Sequence, residues 1–238
     1  MTSATATPTP APENRTLVLY LRLVWLKLAV GSLFAALCAW LVAFVAPLRQ
    51  AIIISWDGHA LGLSVAGLLF VVAPTLLCIF ARAFVRAPTA LMSGALFWMF
   101  AATIGIAANV LFLLFSGDST VSAFVLAAAG FGGLALAQAL SPQPLAGAVA
   151  GGVFAATGLG GAYAVASVWP SAWPFIATDV AAIVFIALII ALRARGLVRS
   201  HEIYAERRGA RALVDFGALY ALGLADLASH RRAGPVLS

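Results

Sequence analysis

From Leu28 to Leu192 the sequence is a succession of apolar runs separated by short links rich in Pro, Gly, Ser and Arg. The runs cover 28–47, 61–81, 90–115, 121–140, 145–168 and 173–192. Each is close to the ~20 residues that a ~30 Å hydrocarbon core requires of a helix. In lipid a backbone must satisfy its own polar groups within the segment, so runs of this kind are helices. A weaker run, 212–228, follows a basic linker and carries Asp215 and Asp226. Carboxylates at bilayer depth are costly unless they meet other helices or water, so this segment belongs in the middle of a bundle. The expected fold is therefore an all-α polytopic membrane protein: a seven-helix bundle with six clean spans and the last helix central. Composition agrees, with 63% hydrophobic and 9% charged residues against about a quarter charged in soluble domains.

Residues 1–16, MTSATATPTPAPENRT, read as a disordered tail before a single transmembrane domain at 17–232, with 233–238 as a C-terminal tail. The arginines orient the bundle. With the N-terminus in the cytoplasm, Arg15, Arg22, Lys27, Arg82, Arg86, Arg193, Arg195, Arg199, Arg207, Arg208 and Arg211 all lie inside, and Arg49 lies outside. Of the 14 basic residues only Lys27 is not Arg, a usage that suggests a GC-rich bacterium and hence its inner membrane. The net charge of +6 does not indicate nucleic acid, because the cations flank the apolar runs instead of forming a separate face. Arg49 and Asp57 bracket AIIISW, a segment suited to the membrane interface.

Helix association in lipid depends on close backbone approach at small residues. Gly147 and Gly151 form a GxxxG pair, and Gly132 and Gly133, with Gly130, Gly158, Gly160 and Gly161, are expected at further helix contacts. Pro74, within the second run, predicts a kink. Cys38 and Cys78 sit in apolar runs without metal-ligand or CxxC spacing, and no cofactor or metal is indicated. HEIYAE at His201–Glu206 lacks the second His of a zinc hydrolase motif. The intramembrane polar residues are Asn109, Gln138, Thr157, Tyr163, Thr178, Asp179, Asp215 and Asp226. Asp179 falls near the outer end of its run, where water is close. Asp215 lies one turn into the last run, where an acid is also favoured by the helix dipole. Nothing in this inventory makes a nucleophile–base arrangement, so the chain reads as a non-enzyme.

The order of these features resembles the BAX-inhibitor family of transmembrane proteins, including its bacterial members. The resemblance spans about Tyr20–Arg232 and is carried by three stretches. They are FWMFAATIGIAANVLFLLFSGDSTVSAFVLAAAGFGG at Phe97–Gly133, the linker ending in Glu202-Ile203-Tyr204, and LVDFGALYAL at Leu213–Leu222. It implies seven helices with the last one wrapped by the other six, a cytoplasmic N-terminus, and a pH-sensitive calcium leak with a role in stress and cell-death suppression. Bacterial relatives also interact with membrane proteolysis. In that family two aspartates on the sixth and seventh helices share a proton at the gate. Asp215 matches the second. The first falls near Leu192 in ALRARG, where this chain has Arg193 and Arg195. Asp179 cannot substitute, since it lies ~20 Å away along a helix rising ~1.5 Å per residue. An acid beside arginine stays ionised and does not gate by proton. Asp215 is thus expected in an ion pair with Arg193, Arg195 or Arg82, and the leak impaired or absent. Two other readings stay open: a regulatory or structural partner of another membrane protein, such as a protease, and an ion-coupled transporter in which Asp179 faces an aqueous cavity.

Overall fold

A computed structural model of the chain describes residues 12–56, 59–84, 90–115, 120–168, 180–192 and 194. Helix α1 runs over Pro12–Phe44, taking in residues 12–16, which composition assigns to a tail. The signal for the earlier start is local: Pro at the first helical position and Glu13 in the first turn both favour a helix beginning. At 33 residues and ~1.5 Å each, α1 is about 50 Å long and outreaches a hydrocarbon core. It closes with Val45 N–H donating to the Leu41 carbonyl, and α2, Ala46–Ile52, begins with Pro47 in its first turn.

A two-stranded antiparallel hairpin follows, β1 at Ile53–Trp56 and β2 at His59–Leu63. The second apolar run therefore does not begin as a helix at Leu61; its first three residues are strand. Helix α3, Val65–Phe84, starts after Ser64, whose hydroxyl accepts from the Gly67 N–H at 3.0 Å as an N-cap. The same hydroxyl donates to the Ala51 carbonyl of α2 at 2.6 Å, and the Ser64 N–H donates to Ile52 O. Pro74 lies inside α3.

Helices α4, Ala90–Phe115, and α5, Val121–Leu140, match their apolar runs end to end. Helix α6 is Ala148–Val168, and the described part of the next run is α7, Val180–Leu192. Four described helices are long and apolar enough to cross a membrane: α1, α4, α5 and α6. Helices α3 and α7 add shorter apolar stretches, Val65–Leu77 and Val180–Leu192. The expected last span, 212–228, lies outside the described residues.

Neighbours run in the order α3, α4, α1, α5, α6, α7. Among the described elements α1 lies between α4 and α5. Ala35 and Ala39 of α1 meet Gly105 and Asn109 of α4, so their contacts rise together and the two helices run parallel. Gly151 of α6 meets Ala187 and Ala191 of α7, and Gly158 meets Ile183, so that pair is antiparallel. The core between these helices is apolar: Leu21, Trp25 and Leu28 of α1, Phe97 of α4, Phe131 and Leu134 of α5, Phe154 of α6 and Ile190 of α7 are fully buried. Trp25 stacks on Phe131 with centroids 6.3 Å apart, and Phe131 meets Phe154 edge-on at 4.8 Å.

Candidate functional site

The two buried amides among the described residues of this bundle, Asn109 and Gln138, are tied to backbone at its two ends. Asn109, fully buried on α4, donates from Nδ2 to the Ala39 carbonyl of α1 at 3.0 Å. Its Oδ1 accepts from the Thr120 N–H, at the start of α5, at 3.1 Å. One amide thus joins α1, α4 and the start of α5. At the other end Gln138 of α5 donates to Gln143 O at 2.9 Å and accepts from the Leu145 N–H at 2.7 Å, holding the SPQP turn. Thr157 bonds its own helix at Val153 O, 2.9 Å, and reaches Gly130 O across the α5–α6 seam at 3.3 Å. A buried amide is expensive to leave unpaired, and here each is used to fix a helix end.

Between those ends, Lys27 of α1 lies half-buried with Nζ 4.9 Å from the centroid of the Phe97 ring. Gly31, one turn on, is where that ring comes closest to the α1 backbone: a side chain at Gly31 would collide with Phe97. The spacing Lys27-x-x-x-Gly31 builds a cation–π seat for one aromatic of the neighbouring helix. Sequence reasoning treats Lys27 only as a topology signal and misses this pairing; the Gly one turn after the Lys is what could have revealed it.

Of the glycines expected at helix contacts, Gly133 abuts Thr157, Gly130 abuts Phe154, Gly151 abuts Ala187 and Ala191, Gly158 abuts Ile183, and Gly161 faces Leu126 and Ala129. Gly132 and Gly160 do not belong with them, since an added Cβ at either would meet nothing within 4 Å. Each is one residue from a contact glycine, and the ~100° turn per residue carries it off the seam. Gly147 does a different job from Gly151. It precedes α6 with φ 61°, a left-handed backbone that glycine adopts without strain, and its carbonyl accepts from the Gly151 N–H. A close α1–α4 approach lies at Gly105, unremarked in the sequence, where a Cβ would run into the Ala35 backbone.

The residues expected to form a gate, Asp215, Arg193, Arg195 and Asp179, lie outside the described residues, as do Thr178 and Asp226. Arg82 falls within α3, and nothing is described of its side chain. Among the described residues, no three His, Cys, Asp or Glu side chains converge in a way that could hold a metal ion.

A further feature lies on the outside of α1. Leu19, Leu23, Leu26, Val30, Leu33, Leu37, Trp40 and Phe44 are all 45% to 66% exposed. They are spaced alternately four and three residues apart, the heptad interval of a helix that receives a second helix. Arg22 and Lys27 flank this stripe on either side of Leu23 and Leu26, at the positions that set charge preference in such pairs.

This is the build of a multi-pass helical membrane protein: long apolar helices, small-residue seams and outward-facing leucines. No family model matches the chain, and no solved structure does. It is 27% identical over 113 residues to an uncharacterized protein of Caulobacter vibrioides, a match covering 48% of this chain and 45% of that protein. The chain therefore spans about half the length of this relative.

Proposed function

We propose that this chain is an integral protein of a bacterial inner membrane that works by binding another membrane protein along α1. On this reading α1 and α3 to α7 are six spans, residues 212–228 supply a seventh, and the N-terminus is cytoplasmic, as the arginine distribution favours. The observation that carries the functional reading is the exposed stripe on α1. From Leu19 to Phe44 it covers 26 residues, about 38 Å at ~1.5 Å per residue against a ~30 Å core. Its end near Arg22 thus reaches the membrane boundary, where leucines gain little from lipid and more from a protein neighbour. The filled interior beside Trp25, Phe97, Phe131 and Phe154 supports association over conduction. A parallel second copy of α1 would set Arg22 opposite Lys27 of its mate, a repulsive arrangement at flanking positions. The partner is accordingly a different helix, with acids at that level. The test is native electrophoresis of gently solubilised membranes: the chain should migrate in a complex larger than itself. Leu26→Ala with Leu33→Ala should release it by about tenfold, near 1.4 kcal/mol. Migration as the free chain in the parent protein refutes the reading.

A second reading rests on the BAX-inhibitor resemblance, whose longest stretch, Phe97–Gly133, falls on α4, the link and α5. There Asp215 is latched by Arg193, Arg195 or Arg82, and calcium entry into proteoliposomes is low and flat across the neutral pH range. Strong calcium flux abolished by Asp215→Asn would overturn the latch.

A further inference from the structure

Between α1 and α3 the chain forms α2 and the two paired strands β1 and β2. The two faces of that unit differ. Its inner face is a small core of its own, Ile52 and Ile53 packed with Val42 of α1 and Val110 of α4, and with Leu63 and Phe70 against them. Strand alternation then sends the next residue outward: Ile53 is 3% exposed and Ile54 52%. The register pairs Ile53 with Leu63 inside and Ile54 with Gly62 outside, so no side chain across the hairpin shelters Ile54. Leu48 of α2 is also exposed, beside exposed Arg49.

These residues do not stand alone. At the end of α1, exposed Trp40 and Phe44 form an aromatic pair with centroids 5.8 Å apart, the residue type that gathers where bilayer meets water. At the start of α3, Val65, Leu68 and Leu69 are exposed. Leu48 and Ile54 lie in the link between these two exposed apolar helix faces. A two-stranded hairpin is marginal in water by itself, yet this one is held firmly. Its inner core and the Ser64 bonds to Ala51 and Gly67 fix its orientation. A unit so fixed, with isoleucine and leucine outward, is suited to the boundary between headgroups and acyl chains.

We propose that α2 and the hairpin are immersed in the lipid leaflet on the side where α1 ends, with Leu48 and Ile54 in the acyl boundary and Arg49 at the phosphates. The occupant of this face is lipid. The stem of Arg49 can lie along apolar surface while its guanidinium reaches outward, the usual arrangement for arginine at this depth. The proposal concerns the opposite end of α1 from Arg22, where Trp40 and Phe44 face the headgroup boundary; the partner reading needs only the stretch Leu19 to Leu37 and is independent of it.

The experiment uses the full chain in proteoliposomes, with Cys38 and Cys78 replaced by Ala. Nitroxides are placed at Leu48→Cys and Ile54→Cys, with Leu68→Cys as the lipid-facing reference. Collision rates with oxygen and with a water-soluble nickel chelate are measured. Positions 48 and 54 should favour oxygen as position 68 does. Preference for the nickel chelate places the unit in water and overturns the proposal. Low access to both reagents means that protein covers it, which overturns it equally. The unsubstituted chain supplies an independent measurement: a phospholipid with a diazirine near the top of its acyl chain should label the peptide holding residues 46–56. Labelling confined to α1 and α3 peptides counts against immersion.

Discussion

Replacing Asn109 by Leu keeps the side-chain volume roughly constant and removes the amide bonds to Ala39 and Thr120. The Thr120 N–H then loses its acceptor, and Ala39 O loses a donor from across the α1–α4 seam. An orphaned buried N–H costs about 1–3 kcal/mol, and an interhelical side-chain bond in a membrane protein averages ~0.6 kcal/mol. The sum is about 1.6–3.6 kcal/mol, roughly a fifteen- to four-hundredfold shift in the folding equilibrium at 1.4 kcal/mol per decade. Equilibrium unfolding in mixed micelles with increasing dodecyl sulfate, followed by helical circular dichroism, reads that shift directly. Thr103→Ala is the matched control, because Thr103 bonds only to carbonyls of its own helix, Met99 and Phe100. That variant should stay within about 0.5 kcal/mol of the parent. If Asn109→Leu also stays within that margin, the buried amide does not hold the α1–α4–α5 junction, and the reasoning fails.

The glycines give a sharper contrast. Gly105→Leu, which drives a side chain into the Ala35 backbone, should abolish the folded bundle by size exclusion in detergent. Gly132→Ala should instead be neutral or stabilising by about 0.5–1 kcal/mol, since it trades backbone freedom for helix propensity in open space. The Ser64→Ala variant should lose about 1 kcal/mol in the same unfolding titration, with local exchange of the Gly67 amide rising first. Phe131→Ala, which opens a hole between Trp25 and Phe154, should cost about 3–5 kcal/mol.

Much of the helical layout is legible from residue patterns, and the departures have physical causes. The limits of α4 and α5 coincide with their apolar runs because SGDS and SPQP interrupt apolarity sharply. Leu61–Leu63 misleads because a short apolar stretch looks alike as strand or helix, and the deciding signal is Ser64 as a cap. Pro12 and Glu13 mark a helix start inside a segment whose composition alone reads as disorder. Gly132 and Gly133 show the resolution of small-residue reasoning: adjacent glycines point about 100° apart, and only tertiary packing decides which one meets a neighbour. Asn109 and Gln138 are visible as intramembrane polar residues, but their spending on helix ends requires the turns to be in place. The α1 stripe is present as a strict interval in the sequence, yet many apolar residues between its members hide it until burial sorts the faces.

The measurement that bears most directly on the account is a photo-crosslinking scan along α1 in native membranes, with benzoylphenylalanine at single positions. Leu19, Leu23, Leu26, Val30, Leu33 and Leu37 should each give the same discrete protein adduct, while exposed Leu136 of α5 should give none. Adducts absent along the stripe, or equal at Leu136, would contradict a protein that acts through the outer face of its first helix.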